Sequence, residues 1–205
     1  MAPSNAPSKS AAPPLAVVVS RYNGSITDKL FAGAVMAYKA AGGSERDLEI
    51  VEAAGAFELV ALSMAAADSG RFAGVVALGC IIKGETRHDE YLAHAVTQGL
   101  ANISLVTGIP VGLGVLTVNN AHQARDRAGG RMGNKGAECV EALLNSIVQI
   151  AKLKGERRSF VVEGLNLPDK AADTPTPSAC PAADRSAPKP NRRRAKAAVG
   201  GGGRR

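Results

Sequence analysis

Residues 74–90 read GVVALGCIIKGETRHDE, and the change of character inside that stretch decides the fold class. Gly74–Ile82 carries no charge and is rich in β-branched side chains, which fits a strand covered on both faces. Lys83–His88 turns polar around Gly84, and Asp89–Thr107 then reads as a helix. The same unit of strand, polar turn and helix recurs on either side. Upstream, Leu15–Val19 is a continuous apolar run and reads as a strand. The helix after it carries Ile26, Leu30, Val35 and Tyr38 roughly on one face and stops at Gly42-Gly43. Ser25 and Asp28 have the spacing of a capping box, with Asp in the place of Glu. Leu48–Ala53 reads as a second strand, and Phe57–Asp68 as an Ala-rich helix ending near Gly70. Downstream, Pro110 opens a fourth strand that runs to Val118. Asn120–Ala128 and Gly136–Lys154 read as two more helices, separated by a loop over Gly129–Asn134. Strand and helix thus alternate four times. That order predicts an α/β domain with a four-stranded parallel sheet and helices on both faces.

The 205 residues suffice for one domain with a real core, and 45% of them are apolar. Only 3% are aromatic and there is no Trp, so Ala, Val, Leu and Ile must do the packing. The charge of +7 raises the question of a nucleic-acid binder, and its location answers it. From Asn166 onward 9 Lys and Arg stand against 3 Asp and Glu, a net +6. Residues 1–165 keep 16 against 15, or +1, so the folded part is nearly neutral. Residues 1–14 (Pro, Ser and Ala with little else) read as a flexible arm, residues 15–160 as the domain, and residues 161–205 as a disordered Pro/Arg/Gly-rich basic tail. Nucleic acid is expected only as a weak effect of that tail. No apolar run is long enough for a transmembrane helix and the N-terminus lacks a signal-peptide core, so the expected address is cytoplasmic. Cys80, Cys139 and Cys180 are too few and too scattered for a disulfide framework or a zinc site, and reduced thiols fit that address.

In doubly wound folds ligands sit at the carboxyl ends of the strands. The segments there are Ser20–Ser25, Ala54–Glu58, Lys83–His88 and Val118–Asn120. Tyr22 could stack on a flat ligand and Asn23 could hydrogen-bond it; an ordinary turn with an exposed tyrosine would look the same. Gly55 lets a ligand approach the backbone, and Glu58 could accept hydrogen bonds from sugar-like hydroxyls. Glu58 would also suit the first turn of a helix for its dipole alone. In Lys83–His88 a glycine bend leads into a helix start, whose backbone N–H groups can hold a phosphate. His88 in the same segment can move protons near neutral pH, and a helix N-terminus disfavours its charged form. A solvated polar loop is the plain alternative. Arg127 near a helix end and Lys135 after it could both pair with phosphate, or simply form a solvated charged face. The three His show no metal-ligand spacing.

Taken together, the order and spacing of these pieces resemble the lumazine synthase family. The matching stretches are SRYN at 20–23, GAFEL at 55–59, ALGCIIKGETRH at 77–88, GVLT at 114–117, QARDRAG at 123–129 and GNKG at 133–136. The resemblance covers residues 15–155, and 77–88 is its most specific part. It implies a flavodoxin-like three-layer sandwich. It also implies a transferase that condenses 5-amino-6-(D-ribitylamino)uracil with 3,4-dihydroxy-2-butanone 4-phosphate, with no cofactor and no metal. Carried over by position, Tyr22 stacks on the pyrimidine. Ala56, Phe57 and Glu58 bind the ribitylaminouracil, and Cys80, Ile81 and Ile82 meet its uracil edge. Glu85 and Thr86 supply phosphate-binding backbone, and His88 transfers the proton. Leu113 and Arg127 would enter the site from a neighbouring subunit, Leu113 at the ribitylaminouracil and Arg127 at the phosphate. The resemblance therefore implies a homopentamer, leaves closure into a sixty-subunit shell open, and admits association with riboflavin synthase. Ala54 and Val60 stand where the family often has proline, and Leu113 where it often has Phe or Asn. The rival reading is a non-catalytic relative that binds a lumazine or flavin. Retention of both His88 and Arg127 argues against it, because a carrier needs neither proton shuttle nor phosphate anchor.

Overall fold

The computed structural model describes residues 12–155. Two units divide the chain, Met1–Leu165 and Asn166–Arg205, and all that follows concerns the first. Most of the expected N-terminal arm (residues 1–11) and all of the expected basic tail (161–205) lie outside the described residues.

The chain runs β1 (Leu15–Ser20), α1 (Gly24–Ala40), a 3₁₀ turn (Glu45–Asp47) and β2 (Leu48–Ala53). It continues through α2 (Glu58–Asp68), β3 (Gly74–Ile82), α3 (His88–Thr107) and β4 (Val111–Val118). It closes with α4 (Ala121–Arg127), a short hairpin β5 (Ala128–Gly130) and β6 (Gly133–Asn134), and α5 (Lys135–Leu153). The four long strands pair in parallel in the order β2-β1-β3-β4. The fold is the flavodoxin-like α/β sandwich, with helices on both faces of the sheet.

Strand alternation sorts the core into two layers. Leu15, Val17, Val19, Val76 and Leu78 pack with Leu30, Tyr38 and Leu144 on the side of α1 and α5. Ala16, Val18, Val75 and Ala77 pack with Leu59, Val96 and Leu100 on the side of α2 and α3. Each buried Leu or Val stabilises by roughly 1.5–3 kcal/mol, so the two central strands carry much of the core. Burial on both faces, expected of Gly74–Ile82, holds for β1 and β3 and fails at the edges. Ile50 on β2 is 53% exposed. On β4 burial alternates, with Gly112, Gly114, Leu116 and Val118 inward and Leu113 and Thr117 outward. An edge strand lacks one neighbour, so apolar character alone cannot bury it.

Three local expectations are corrected. α1 has no capping box: Asn23 caps it from the left-handed region (φ 60°, ψ 41°) without a side-chain bond, and Asp28 accepts from Arg21 Nη1 at 3.1 Å instead. On the buried face of α1 Ala34 takes the place assigned to Val35, which is half-buried. Gly129–Asn134 is no loop but the β5–β6 hairpin, enabled by positive φ at Gly129 and Gly133. The described fold also includes residues before Leu15. Ala12 is buried, and the Tyr38 hydroxyl donates to the Pro13 carbonyl at 2.8 Å.

Candidate active site

β1 and β3 are adjacent, yet the chain leaves them in opposite directions, β1 toward β2 and β3 toward β4. Such a switch point opens a crevice at the carboxyl ends of the two strands. A cavity of about 880 Å³ lies there. Tyr22 and Asn23 after β1, Gly55–Glu58 after β2, and the end of β3 with the turn into α3 line it.

Asn23 holds two of these segments together. Its Nδ2 donates to the Cys80 carbonyl at 2.9 Å, joining the end of β1 to the end of β3. Its backbone carbonyl meanwhile accepts from Ile26 N and Thr27 N and starts α1. The turn after β2 leaves Phe57 64% exposed, and the turn after β1 leaves Tyr22 70% exposed. Two bare aromatic rings at one rim suit a flat, partly apolar ligand, because stacking recovers the area left in water. α3 opens at His88 without a side-chain cap on its first turn, although His88 N approaches Thr86 Oγ1 at 3.4 Å. Amides of that kind seek water or an anion. Burial pushes the Cys80 thiol up to about 11, so it stays neutral and is no nucleophile near neutral pH.

Nine of the twelve expected site residues therefore line one cavity: Tyr22, Ala56, Phe57, Glu58, Cys80, Ile81, Ile82, Thr86 and His88. Glu85 sits in the same turn, exposed, but is not part of the lining. Leu113 and Arg127 are elsewhere. They line a second cleft of about 400 Å³ between β4 and α5, together with Thr117, Lys135, Glu138 and Cys139. Arg127 is half-buried at the end of α4 and donates Nη1 to the Gln123 carbonyl at 3.2 Å, which leaves most of its guanidinium fork free. Lys135 Nζ meets Glu138 Oε2 at 2.6 Å. Glu138 was not singled out in the sequence; its only signal is a carboxylate three residues after a lysine on one helix face. Burial pushes the Cys139 thiol up to about 12. Among the described residues no three His, Cys, Asp or Glu converge as a metal site. A third depression, between α2 and α3, is almost wholly apolar and offers few groups for chemistry.

A doubly wound parallel sheet with a ligand-sized cavity at its switch point defines a flavodoxin-like α/β protein built to bind small molecules. The family model described as 6,7-dimethyl-8-ribityllumazine synthase matches residues 13–151. A 6,7-dimethyl-8-ribityllumazine synthase of Nitratidesulfovibrio vulgaris is 45% identical over 133 residues, covering 64% of this chain and 85% of the relative. One of Lawsonia intracellularis is 39% identical over 138 residues, covering 67% and 88%. The chain belongs to the 6,7-dimethyl-8-ribityllumazine synthase family.

Proposed function

We propose that this chain joins 5-amino-6-(D-ribitylamino)uracil to 3,4-dihydroxy-2-butanone 4-phosphate, the step of riboflavin biosynthesis that forms 6,7-dimethyl-8-ribityllumazine and releases phosphate and water. Family membership supports the reaction, and both relatives carry the synthase name. The observation that carries the assignment of the site is the cavity at the switch point, where Cys80–Gly84, Thr86 and His88 meet Tyr22 and Glu58.

In this reading Tyr22 stacks on the pyrimidine, and Ala56, Phe57 and Glu58 take the ribityl side. The buried end of β3, Cys80–Ile82, meets the uracil edge. The amine attacks the ketone to give an imine, phosphate is eliminated, and the ring closes. Holding the two reactants together supplies much of the rate. His88 shuttles the protons, worth about 10²–10⁴-fold for general acid–base catalysis. The phosphate lies between the turn at Glu85–Thr86 and Arg127.

Arg127 and Leu113 lie in a different cleft from His88 on the same chain. That separation supports a site completed by a second copy, whose cleft meets this cavity. The assembly that follows is a homopentamer. The same reading leaves closure of pentamers into a sixty-subunit shell open and admits association with riboflavin synthase; a cytoplasmic address belongs to it, in keeping with the free thiols Cys80 and Cys139.

Steady-state turnover of both substrates by the full chain, with lumazine formation read by absorbance, tests the proposal. We expect saturable dependence on each substrate. Tight binding of the ribitylaminouracil without turnover would instead make the chain a carrier.

A further inference from the structure

α1 and α5 approach each other where both carry glycine. A Cβ on Gly136 would fall onto the Leu30 carbonyl, and one on Gly33 would fall inside the Asn134 side chain. Asn134 therefore fills the space that Gly33 leaves, at the point where α5 begins. Its carboxamide is bonded at both ends. Oδ1 accepts from Gly136 N at 2.9 Å and from Ala137 N at 3.3 Å, which caps α5. Nδ2 donates to the Lys29 carbonyl at 2.8 Å, which ties that cap to the middle of α1.

The position of this bridge matters more than its strength. Asn134 is followed by Lys135, and its partner across the β5–β6 hairpin is Ala128, the residue after Arg127. One side chain thus fixes the backbone beside both cations of the β4–α5 cleft, and Gly33 and Gly136 leave that backbone little freedom to move. A cap alone would need only an acceptor, and serine would serve. The donor end, aimed at another helix, does what a cap does not: it sets where α5 begins relative to α1.

The geometry points to Asn134 as a positioning residue that holds Arg127 and Lys135 at the spacing needed to grip the substrate phosphate. This deepens the proposed function and rests on the reading that Arg127 binds that phosphate. Misplacement of a binding group by about 1 Å can cost up to about 10²-fold, so a bridge of this kind affects one substrate more than the other.

Asn134→Ser tests it, because serine keeps a neutral cap and cannot reach Lys29. We expect the KM for the butanone phosphate to rise about tenfold, with the KM for the ribitylaminouracil and kcat changed less than about twofold. In an Arg127→Ala background the same substitution should add little, since its effect runs through that cleft. Asn134→Asp, which keeps shape and cap, serves if the serine variant does not fold; it loses the donor and should raise the same KM. A fall in kcat or melting temperature with both KM values unchanged would leave Asn134 a structural cap and overturn the inference. Arg127→Ala alone separates the two levels. If it raises the phosphate-substrate KM while the Asn134 variants do not, only the role of Asn134 fails. If it changes no KM, the reading of the cleft fails and takes the inference with it.

Discussion

The cavity at the ends of β1 and β3 and the cleft beside β4 are built on different principles. The first gathers three strand ends that the sheet brings together, roofs them with exposed aromatic rings, and is tied internally by Asn23. The second runs along an edge strand, is half the size, and draws its character from Arg127, Lys135 and Glu138. One offers apolar surface and hydrogen-bond partners, the other charge. The difference teaches that the fold divides its resources: apolar surface and hydrogen-bond partners at the switch point, which the proposed function gives to a flat ring, and charge at an open edge, which it gives to an anion.

Four experiments try that division, the strongest effect first. His88→Ala should lower kcat by about 10²–10⁴-fold while the KM for the ribitylaminouracil stays near wild type, as steady-state kinetics will report. A large KM change for that substrate would put His88 in recognition instead. Arg127→Ala removes charge-assisted hydrogen bonds worth about 1.5–3 kcal/mol, so the KM for the phosphorylated ketone should rise about 10–10²-fold. Mixing the weakened Glu58→Ala and Arg127→Ala proteins, with dissociation and reassembly, should raise turnover at low ketone concentration above that of either protein alone, because some pairs would unite an intact cavity with an intact cleft. Native mass spectrometry verifies the exchange; exchange without that rise means each chain works alone. The smallest effect is at the other end of the chain. Removing residues 159–205 should leave kcat/KM unchanged, because every assigned site residue precedes them.

A pH experiment adds to the contrast. The Cys139 thiol that lines the cleft is raised from 9.0 to about 12, and the Cys80 thiol of the cavity to about 11, both by burial. Below pH 9 these thiols hold their protons whether the chain is folded or not, and their contribution to stability is complete. Above it the unfolded chain ionises while the buried thiols cannot, so stability is lost between about pH 9 and pH 12. Melting temperature should therefore fall faster above pH 9 in the wild type than in Cys139→Ala. Equal slopes would show that the burial of Cys139 does not set its titration.

Much of this architecture is legible in the sequence. β2 and β3 run over Leu48–Ala53 and Gly74–Ile82 as read from the sequence; for β3 the reason is a continuous apolar run bounded by turn residues, which admits few other readings. The cavity followed, since its residues come directly after strand ends. What stayed hidden depends on contacts distant in sequence. Asn23 gives its side chain to Cys80, 57 residues away, and no local pattern announces that. Ser25 and Asp28 had the spacing of a cap, but Arg21 claims Asp28. The exposure of β2 and β4 follows from their place at the sheet edges, which composition does not reveal. Arg127 and Leu113 were expected to act from a neighbour on resemblance alone; their distance from His88 in the fold is a geometric matter that spacing could not supply.

The Tyr38 hydroxyl anchors Pro13 beside the start of β1, and the Pro14 carbonyl accepts from Ala73 N, at the start of β3. α5 runs back to the same pole, where Ile150, Ala151 and Lys154 meet Gly108–Pro110 before β4. Ala12 and Gly155 thus lie toward the end of the sheet opposite the cavity, roughly 20 Å away along a six-residue strand. The sheet keeps its two poles for separate uses. A label or a domain joined directly before Ala12 or after Gly155 would therefore enter the described fold at the pole away from the cavity, which makes that fold a scaffold open to extension.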